Sequence, residues 1–317
     1  MRVVTLGGGT GQAQLLEGLV AEGADVIAVV GVTDNGGHSG QLRKEHGIPA
    51  VGDLRSCLAA LTPPDSDLGR DLRTRFKTGK RAGASLGNLM LTELTLAEGS
   101  LTRAVARLEP LLPPNGRAIP VSDSPSQIAA RLKNGKNVVG EWEIIRRKPR
   151  TPIARMFHKP PIDATIVALL AIENADLVVL GPGSLRTALV SVLLARGVRD
   201  ALKGKKVVYV LNILTQVGQT DGFTAADHVA EIKRYLGKRP LVLANTKRPP
   251  DWAFQGAEFV DAEGIDAQRV DLLETVTRSD LKGRARPSQF VAGPHLVRHD
   301  STKLARAILK IAHPNSR

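Results

Sequence analysis

Apolar residues fall along this chain in short unbroken runs, separated by stretches in which they recur at helical spacing. The runs are "VVTL" near the start, "DVIAVVGV" from Asp25, "DLVVLG" from Asp176, "KVVYVLN" from Lys206 and "PLVLAN" from Pro240. Between and after them, "SLGNLMLTELTLAEG", "PPIDATIVALLAIENA", "SLRTALVSVLLARGV", "TAADHVAEIKRYLG" and "STKLARAILKI" read as helices, the last with Ser301 or Thr302 as its expected cap. Continuous apolar strands alternating with helices predict an α/β fold: a doubly wound, mostly parallel Rossmann-like sheet with helices on both faces. Residues 1–317 read as one such domain. The rhythm breaks between Pro110 and Pro152, where proline and basic residues gather and "NVVGEWEIIRRK" reads as strand; 110–152 is expected to be a small β-rich insertion. In such sheets ligands bind beyond the carboxyl ends of the strands, where the winding reverses.

Several turns of this sequence occupy that kind of position. The first, Gly7, Gly8, Gly9, Thr10 and Gly11, joins a buried strand to a helix. Glycine lets a ligand approach the backbone, and the unpaired N–H groups of a helix start suit phosphate. The turn is not a Walker A loop, since no Gly-Lys-Ser/Thr follows, and the last glycine of a dinucleotide fingerprint would fall on Gln12. The second, "VTDNGGHSGQLRKEHG", puts Asp34 where an acidic residue often meets ribose hydroxyls. Asn35, Gly36, Gly37, His38 and Ser39 follow it, with Arg43 placed to reach a phosphate. In "VGDLRSCL", Asp53 caps a helix or holds Mg²⁺ through water; Asp34 and Asp53 are the candidate metal ligands and the candidate catalytic carboxylates. Asn88 stands near the start of an apolar helix as a cap or a ligand contact. Gly181, Pro182, Gly183 and Ser184 form another strand-to-helix turn, a second anion-binding candidate. Asn212, Thr215 and Gln216 follow a strand, and His228 reads as a hydrogen-bonded structural histidine before a general base.

Composition narrows the partner without naming it. Aromatic residues are only 3%, which argues against a base-stacking platform, so no nucleic-acid partner is expected. The net charge of +13 favours anions in general, but runs such as "RRKPR" read as solvated faces. Cys57, the only cysteine, excludes an intramolecular disulfide and fits an apolar helix face. The chain begins in a strand with no signal peptide, no run is long enough to span a bilayer, and a cytoplasmic protein is expected. A homodimer is a fair prior for such folds. HExxH and paired-cysteine signatures are absent from the sequence.

Taken in order, "GGGTG", "VTDNGGHSGQLR", "GDLRSCLAAL", "LGNLMLTEL", "GPGSLRTAL", "NILTQVGQTDGFTAADHV" and "VRHDSTKLA" resemble the CofD-like family, and within it the gluconeogenesis-factor (YvcK-type) branch, over nearly the whole chain. The resemblance implies a Rossmann-like fold with its ligand across the carboxyl edge of the sheet. The transferase branch moves a phospholactate group from a guanylylated donor to a deazaflavin, with Mg²⁺. The other branch is linked to gluconeogenic growth, cell shape and wall-precursor supply, and implies binding of UDP-sugars, UDP-N-acetylglucosamine in particular. The second turn is more similar to the second branch, with departures: Asn35 replaces an aspartate, His38 a serine and Gln41 an arginine. Losing a carboxylate weakens a metal site there. Arg186 stands where an aromatic is common and is expected to restore positive charge near the ligand. By resemblance Arg298 contacts the nucleotide-sugar diphosphate, against a structural ion pair with Asp300. The leading expectation is a nucleotide-sugar-binding regulator with a regulatory protein partner. The alternative is a phospholactate transferase using Asp34 and Asp53 around Mg²⁺, and a nicotinamide dehydrogenase ranks below both.

Overall fold

The apolar run after Arg2 becomes strand β1 (Arg2–Gly7), buried from Val3 onward. In this computed structural model, which describes residues 1–79, 82–254, 256–275 and 297–312, β1 lies inside a seven-stranded parallel sheet. The other members are β2 (Asp25–Val30), β3 (Gly116–Pro120), β7 (Leu177–Leu180), β8 (Val207–Val210), β9 (Leu241–Asn245) and β10 (Gln268–Val270). Their order is β10-β9-β8-β7-β1-β2-β3. The chain thus winds outward from β1 to β3, then returns to the other flank of β1 and winds the opposite way. The switch point falls between β1 and β7, which pair in register from Val3↔Leu177 to Leu6↔Leu180.

The crossovers are helices α1 (Gly9–Ala21), α2 (Gly37–His46), α3 (Gly52–Leu61), α4 (Asp67–Arg73), α5 (Leu86–Glu98), α6 (Leu101–Ala106), α7 (Glu141–Arg146), α8 (Ile166–Glu173), α9 (Val190–Leu194), α10 (Val198–Ala201), α11 (Ala225–Leu236) and α12 (Ser301–Ala312). Leu15, Leu16 and Leu19 of α1 and Leu54, Cys57, Leu58 and Leu61 of α3 are buried in one core with the sheet. No helix among the described residues is long and apolar enough to cross a membrane.

A second, antiparallel sheet packs β5 (Asn137–Val139) and β6 (Ile153–Lys159) on either side of β4 (Gln127–Leu132). Its strands lie between residues 127 and 159, whereas Gly116–Pro120, inside the stretch read as insertion, is an edge strand of the main sheet. The lobe has a small core of its own, Ile128, Ala130, Leu132, Ile144, Ile153 and Met156, which meets Val190 of α9. Within "NVVGEWEIIRRK" the strand ends at Val139: Gly140 takes φ +106, and Glu141–Arg146 turns into helix α7. The cap of α12 also differs from the expectation. Asp300 takes that place, its Oδ1 accepting from Lys303 N at 2.9 Å, because a carboxylate one residue upstream reaches the free amides of the first turn.

Helix α12 presses its apolar face, Leu304, Ala305, Ile308 and Ile311, onto the core and crosses α1 closely. A Cβ on Gly18 would overlap the Ser301 carbonyl. Gly18→Val is expected to lower stability by about 1–3 kcal/mol, the usual cost of forcing atoms into a packed contact. Urea unfolding at constant m-value measures it, and a change below about 0.5 kcal/mol would show that α12 yields.

Candidate ligand-binding cleft

The turns that follow β1, β2, β7 and β8 all open at the carboxyl edge of the sheet, where they enclose a cleft of about 1030 Å³. Because Leu6 and Leu180 are paired neighbours, the turns after β1 and β7 leave the sheet side by side. A Cβ on Gly11 would stand 2.7 Å from the Pro182 carbonyl oxygen, so a side chain there would push the two apart. Gly9 takes φ +73, a conformation that side-chain-bearing residues rarely adopt, and this lets the chain enter α1 from an extended Gly8. The β7 turn is braced from the β8 loop. Asn212 Nδ2 donates to Gly183 O at 2.9 Å, while Gln216 accepts from Leu185 N at 2.9 Å and donates to Ser184 Oγ at 3.1 Å.

Asp53, on the first turn of α3, leans on the glycine turn of β1: a Cβ on Gly8 would collide with its Oδ2, and the Gly9 N–H donates to its carboxylate. The first amide of α1 is therefore already occupied by an anion. The next two, Thr10 and Gly11, have no partner within the helix and line the cleft. Asp34 accepts from Gly36 N at 2.7 Å and also faces the cleft. Glu141, delivered by the lobe as the first residue of α7, completes a group of three carboxylates and accepts a hydrogen bond from Thr187. Burial, then the charge of Asp34, pushes Asp53 up to about 7 and Glu141 up to about 8. Burial also raises Asp34, with the Gly36 amide and Arg43 pulling the other way. All three still touch cleft water, which tempers these shifts. Positive charge gathers elsewhere on the lining, at Arg55, Arg75 and Arg298.

The expected site residues line this cleft with the exception of Gly7, Arg43 and Gly181. Gly7 is the last residue of β1, and its carbonyl accepts from Gly31 N at 2.8 Å. Arg43 turns away from the cleft and donates Nη1 to Ser126 O at 3.1 Å. Asn35 reaches the cleft but spends its amide on the lobe, donating to Glu143 Oε2 at 2.7 Å and accepting from Trp142 N at 3.1 Å. The Thr215 hydroxyl accepts from Glu258 N at 2.8 Å. Arg186 brings no charge to the ligand: it lies buried with Nε 2.9 Å from Glu231 Oε1, because an isolated guanidinium under the surface needs a counter-charge. Asp300, as a helix cap, serves a role of its own, while Arg298 lies in the electrostatic field of Glu17 on α1. His228 is fully buried with Nδ1 3.1 Å from Tyr209 Oη, and Cys57 is fully buried. Glu141, Arg55, Arg75, Thr187 and Phe254 line the cleft without having been singled out; Glu141 carried one weak signal, an acidic residue directly after a glycine in a basic segment.

The family model for 2-phospho-L-lactate transferase CofD matches residues 3–289. The chain belongs to the CofD family. Within the family it is similar to a Thermotoga maritima protein, 40% identical with 98% of this chain and 99% of that protein covered. The "Gluconeogenesis factor" of Halalkalibacterium halodurans is 38% identical, with 97% and 95% covered, and that of Bacillus subtilis 32%, with 98% of each covered. A crystal structure of a UPF0052 family member from Bacillus halodurans superposes with a TM-score of 0.84 at 32% identity, covering 97% of this chain and 99% of that one.

The Mg²⁺ implied by resemblance to the CofD transferases can be weighed against these residues. Among the described residues no group of three or more histidine, cysteine, aspartate or glutamate side chains is poised to hold a metal ion by itself. Magnesium commonly takes only one or two carboxylates and completes its shell with water and ligand phosphates. Asp34 and Asp53, hard oxygen donors that repel one another beside phosphate-suited turns, fit that arrangement and not an all-protein cage.

A carboxyl raised from 4.5 to about 8 on folding stabilises the fold below the unfolded value, and that contribution is lost as pH rises to about 8. In EDTA, Glu141→Gln is therefore expected to be more stable than the parent chain at pH 8.5 by on the order of 1–2 kcal/mol after allowance for cleft water, with the difference fading towards pH 5. Denaturant titration at both pH values reads the difference between parent and variant, in which the opposing effect of the buried histidines cancels. A difference independent of pH would mean that Glu141 is ordinarily ionised.

Proposed function

We propose that this chain is a cytoplasmic nucleotide-sugar-binding regulator of the gluconeogenesis-factor type, with UDP-N-acetylglucosamine as its ligand. The observation that carries the reading is the pair of glycine turns abutting at the switch point of the sheet, both open to one cleft. The diphosphate lies against the Thr10 and Gly11 amides and the Gly183–Ser184 turn, with Arg298 as its cation. Phe254, Leu214 and Ile213 offer the base an apolar seat, and Asp34 accepts from sugar hydroxyls. The similarity to gluconeogenesis factors supports this reading generally. A protein that senses this ligand couples carbon supply to wall-precursor supply, and so to cell shape, through a regulatory protein partner; the working unit is a homodimer.

A second reading has its own observation. The CofD match and the Asp34–Asp53 pair facing phosphate-suited turns support phospholactate transfer to a deazaflavin. Mg²⁺ held there with the ligand would supply charge neutralisation at the phosphate. The chain's own part is positional: the two turns orient the phosphates and Arg298 draws negative charge to its end of the cleft.

Thermal unfolding with UDP-N-acetylglucosamine, UDP-glucose, GDP with Mg²⁺, and NAD in separate wells decides between them. A ligand at 100 times its Kd stabilises by about 2.7 kcal/mol, a rise of a few degrees in Tm for a chain of this size. UDP-sugars alone are expected to give that rise, and a shift confined to GDP with Mg²⁺ transfers the conclusion to the transferase. Gly9→Val and Arg298→Ala are each expected to weaken UDP-sugar binding by about tenfold or more; calorimetric affinities unchanged in both variants would refute the placement of the diphosphate.

A further inference from the structure

The cleft holds a second concentration of donors that the nucleotide reading leaves unused. Arg55 lies on α3 and Arg75 just beyond α4, and both line the cleft beside Asn88 of α5. Neither guanidinium forms an ion pair among the described residues. Arg55 donates Nε to Asn88 Oδ1 at 3.4 Å and Nη2 to Ser56 Oγ at 2.8 Å, and Arg75 donates Nη1 to Gly83 O at 2.9 Å. Two like charges are thus held near one another with donors to spare. Burial, and next to it the charge of Arg75, weighs on the Arg55 guanidinium.

Asn88 supplies the third donor. Asn88 as a residue is 4% exposed, and acceptance from Arg55 fixes which end of the amide is oxygen. Among the described residues its Nδ2 donates to no protein acceptor, and Asn88 lines the cleft, so this N–H is available to a ligand there. The neighbourhood is built around Arg55: a Cβ on Gly87 would come within 2.9 Å of Arg55 Cγ, so glycine there leaves room for the stem. Asp53 and Arg55, two residues apart on α3, diverge. The carboxylate meets the glycine turn of β1, and the guanidinium meets α5. The α3 terminus therefore stands between the two groups of donors.

We propose that Arg55, Arg75 and Asn88 Nδ2 form an anion subsite, separate from the glycine turns, which recognises a carboxylate or phosphate group. Guanidinium forks paired with an amide N–H match the planar oxygen pair of a carboxylate or two oxygens of a phosphate. That group belongs either to a second small molecule or to the far end of the ligand seated on the glycine turns. The inference rests on the nucleotide reading only for what lies beside the subsite.

Inorganic phosphate and malonate serve as probes in calorimetric titrations, with and without saturating UDP-N-acetylglucosamine. The proteins are the parent chain, Arg75→Gln and Arg55→Gln/Arg75→Gln. Arg75 is exposed, so the single variant folds independently of any packing role of Arg55, and circular-dichroism melts check both. The parent chain is expected to bind a probe, and the double variant to bind it about tenfold or more weakly, with the single variant between. Probe binding undisturbed by the nucleotide identifies a second molecule. Competition, with a matching loss of nucleotide affinity in the double variant, identifies the far end of one ligand. Equal affinity in parent and double variant, or no probe binding to the parent chain, overturns the subsite. If UDP-N-acetylglucosamine fails to bind while the variants still lose the probe, the nucleotide reading alone falls.

Discussion

Two backbone turns that must pass within contact distance of each other set the terms for the rest of this molecule. Strands β1 and β7 are adjacent and in register, so the chain leaves both at the same place and in the same direction. The space between them admits backbone and nothing more. Gly11 faces the Pro182 carbonyl, Gly183 faces the Gly8 carbonyl at 3.3 Å from where a Cβ would be, and Gly8 in turn makes room for Asp53. The same crowding points the start of α1 and the segment after Ser184 at one cleft. It leaves amide groups as the natural lining at the switch point, which suits anions.

Both carboxylates and guanidinium groups line the cleft. Burial raises the proton affinity of Asp34, Asp53 and Glu141, and the charge of Asp34 adds to the rise at the other two, while Arg55, Arg75 and Arg298 also line the cleft. A surface selected for stability alone would pair these groups or leave them in water. The three half-buried carboxylates carry an energetic cost that a bound ligand can relieve, as in many functional sites. The lobe takes part in this arrangement. Its core meets Val190 of α9, Asn35 ties its α7 to the β2 turn, and so Glu141 is held in the cleft by contacts remote from it in sequence. The departure from the family motif at Asn35 has a structural counterpart: an amide can both donate to Glu143 and accept from Trp142, whereas a carboxylate can only accept.

Much of the site was legible before folding because glycine-rich strand-to-helix turns carry their meaning locally. An apolar run, two or three glycines and a helical pattern specify a close backbone approach wherever they occur, and parallel strands bring such turns to one edge. That reasoning points to the turns at Gly7–Gly11 and Gly181–Ser184, with Asp34, Asp53 and Asn88, and the family resemblance adds Arg298; the structure brings these segments around one opening. The same reasoning did not find the partners of side chains. Arg43 reads as a phosphate contact, and the family resemblance puts the charge of Arg186 near the ligand, but the first is drawn to the Ser126 carbonyl and the second to Glu231, 45 residues away.

The sequence by itself determined the strands, most of the helices, the parallel winding and the existence of anion-suited turns, since each follows from periodicity and glycine placement within about a dozen residues. Only the tertiary structure decided which charges face the cleft. Glu141 comes from the antiparallel lobe, Arg55 and Arg75 from opposite ends of one excursion, and the Asp53 carboxylate settles on the first amide of a helix more than 40 residues earlier. Electrostatic and hydrogen-bonding partners are chosen by proximity in space, and proximity between distant segments is fixed by how the sheet winds and the helices pack, which no local pattern encodes.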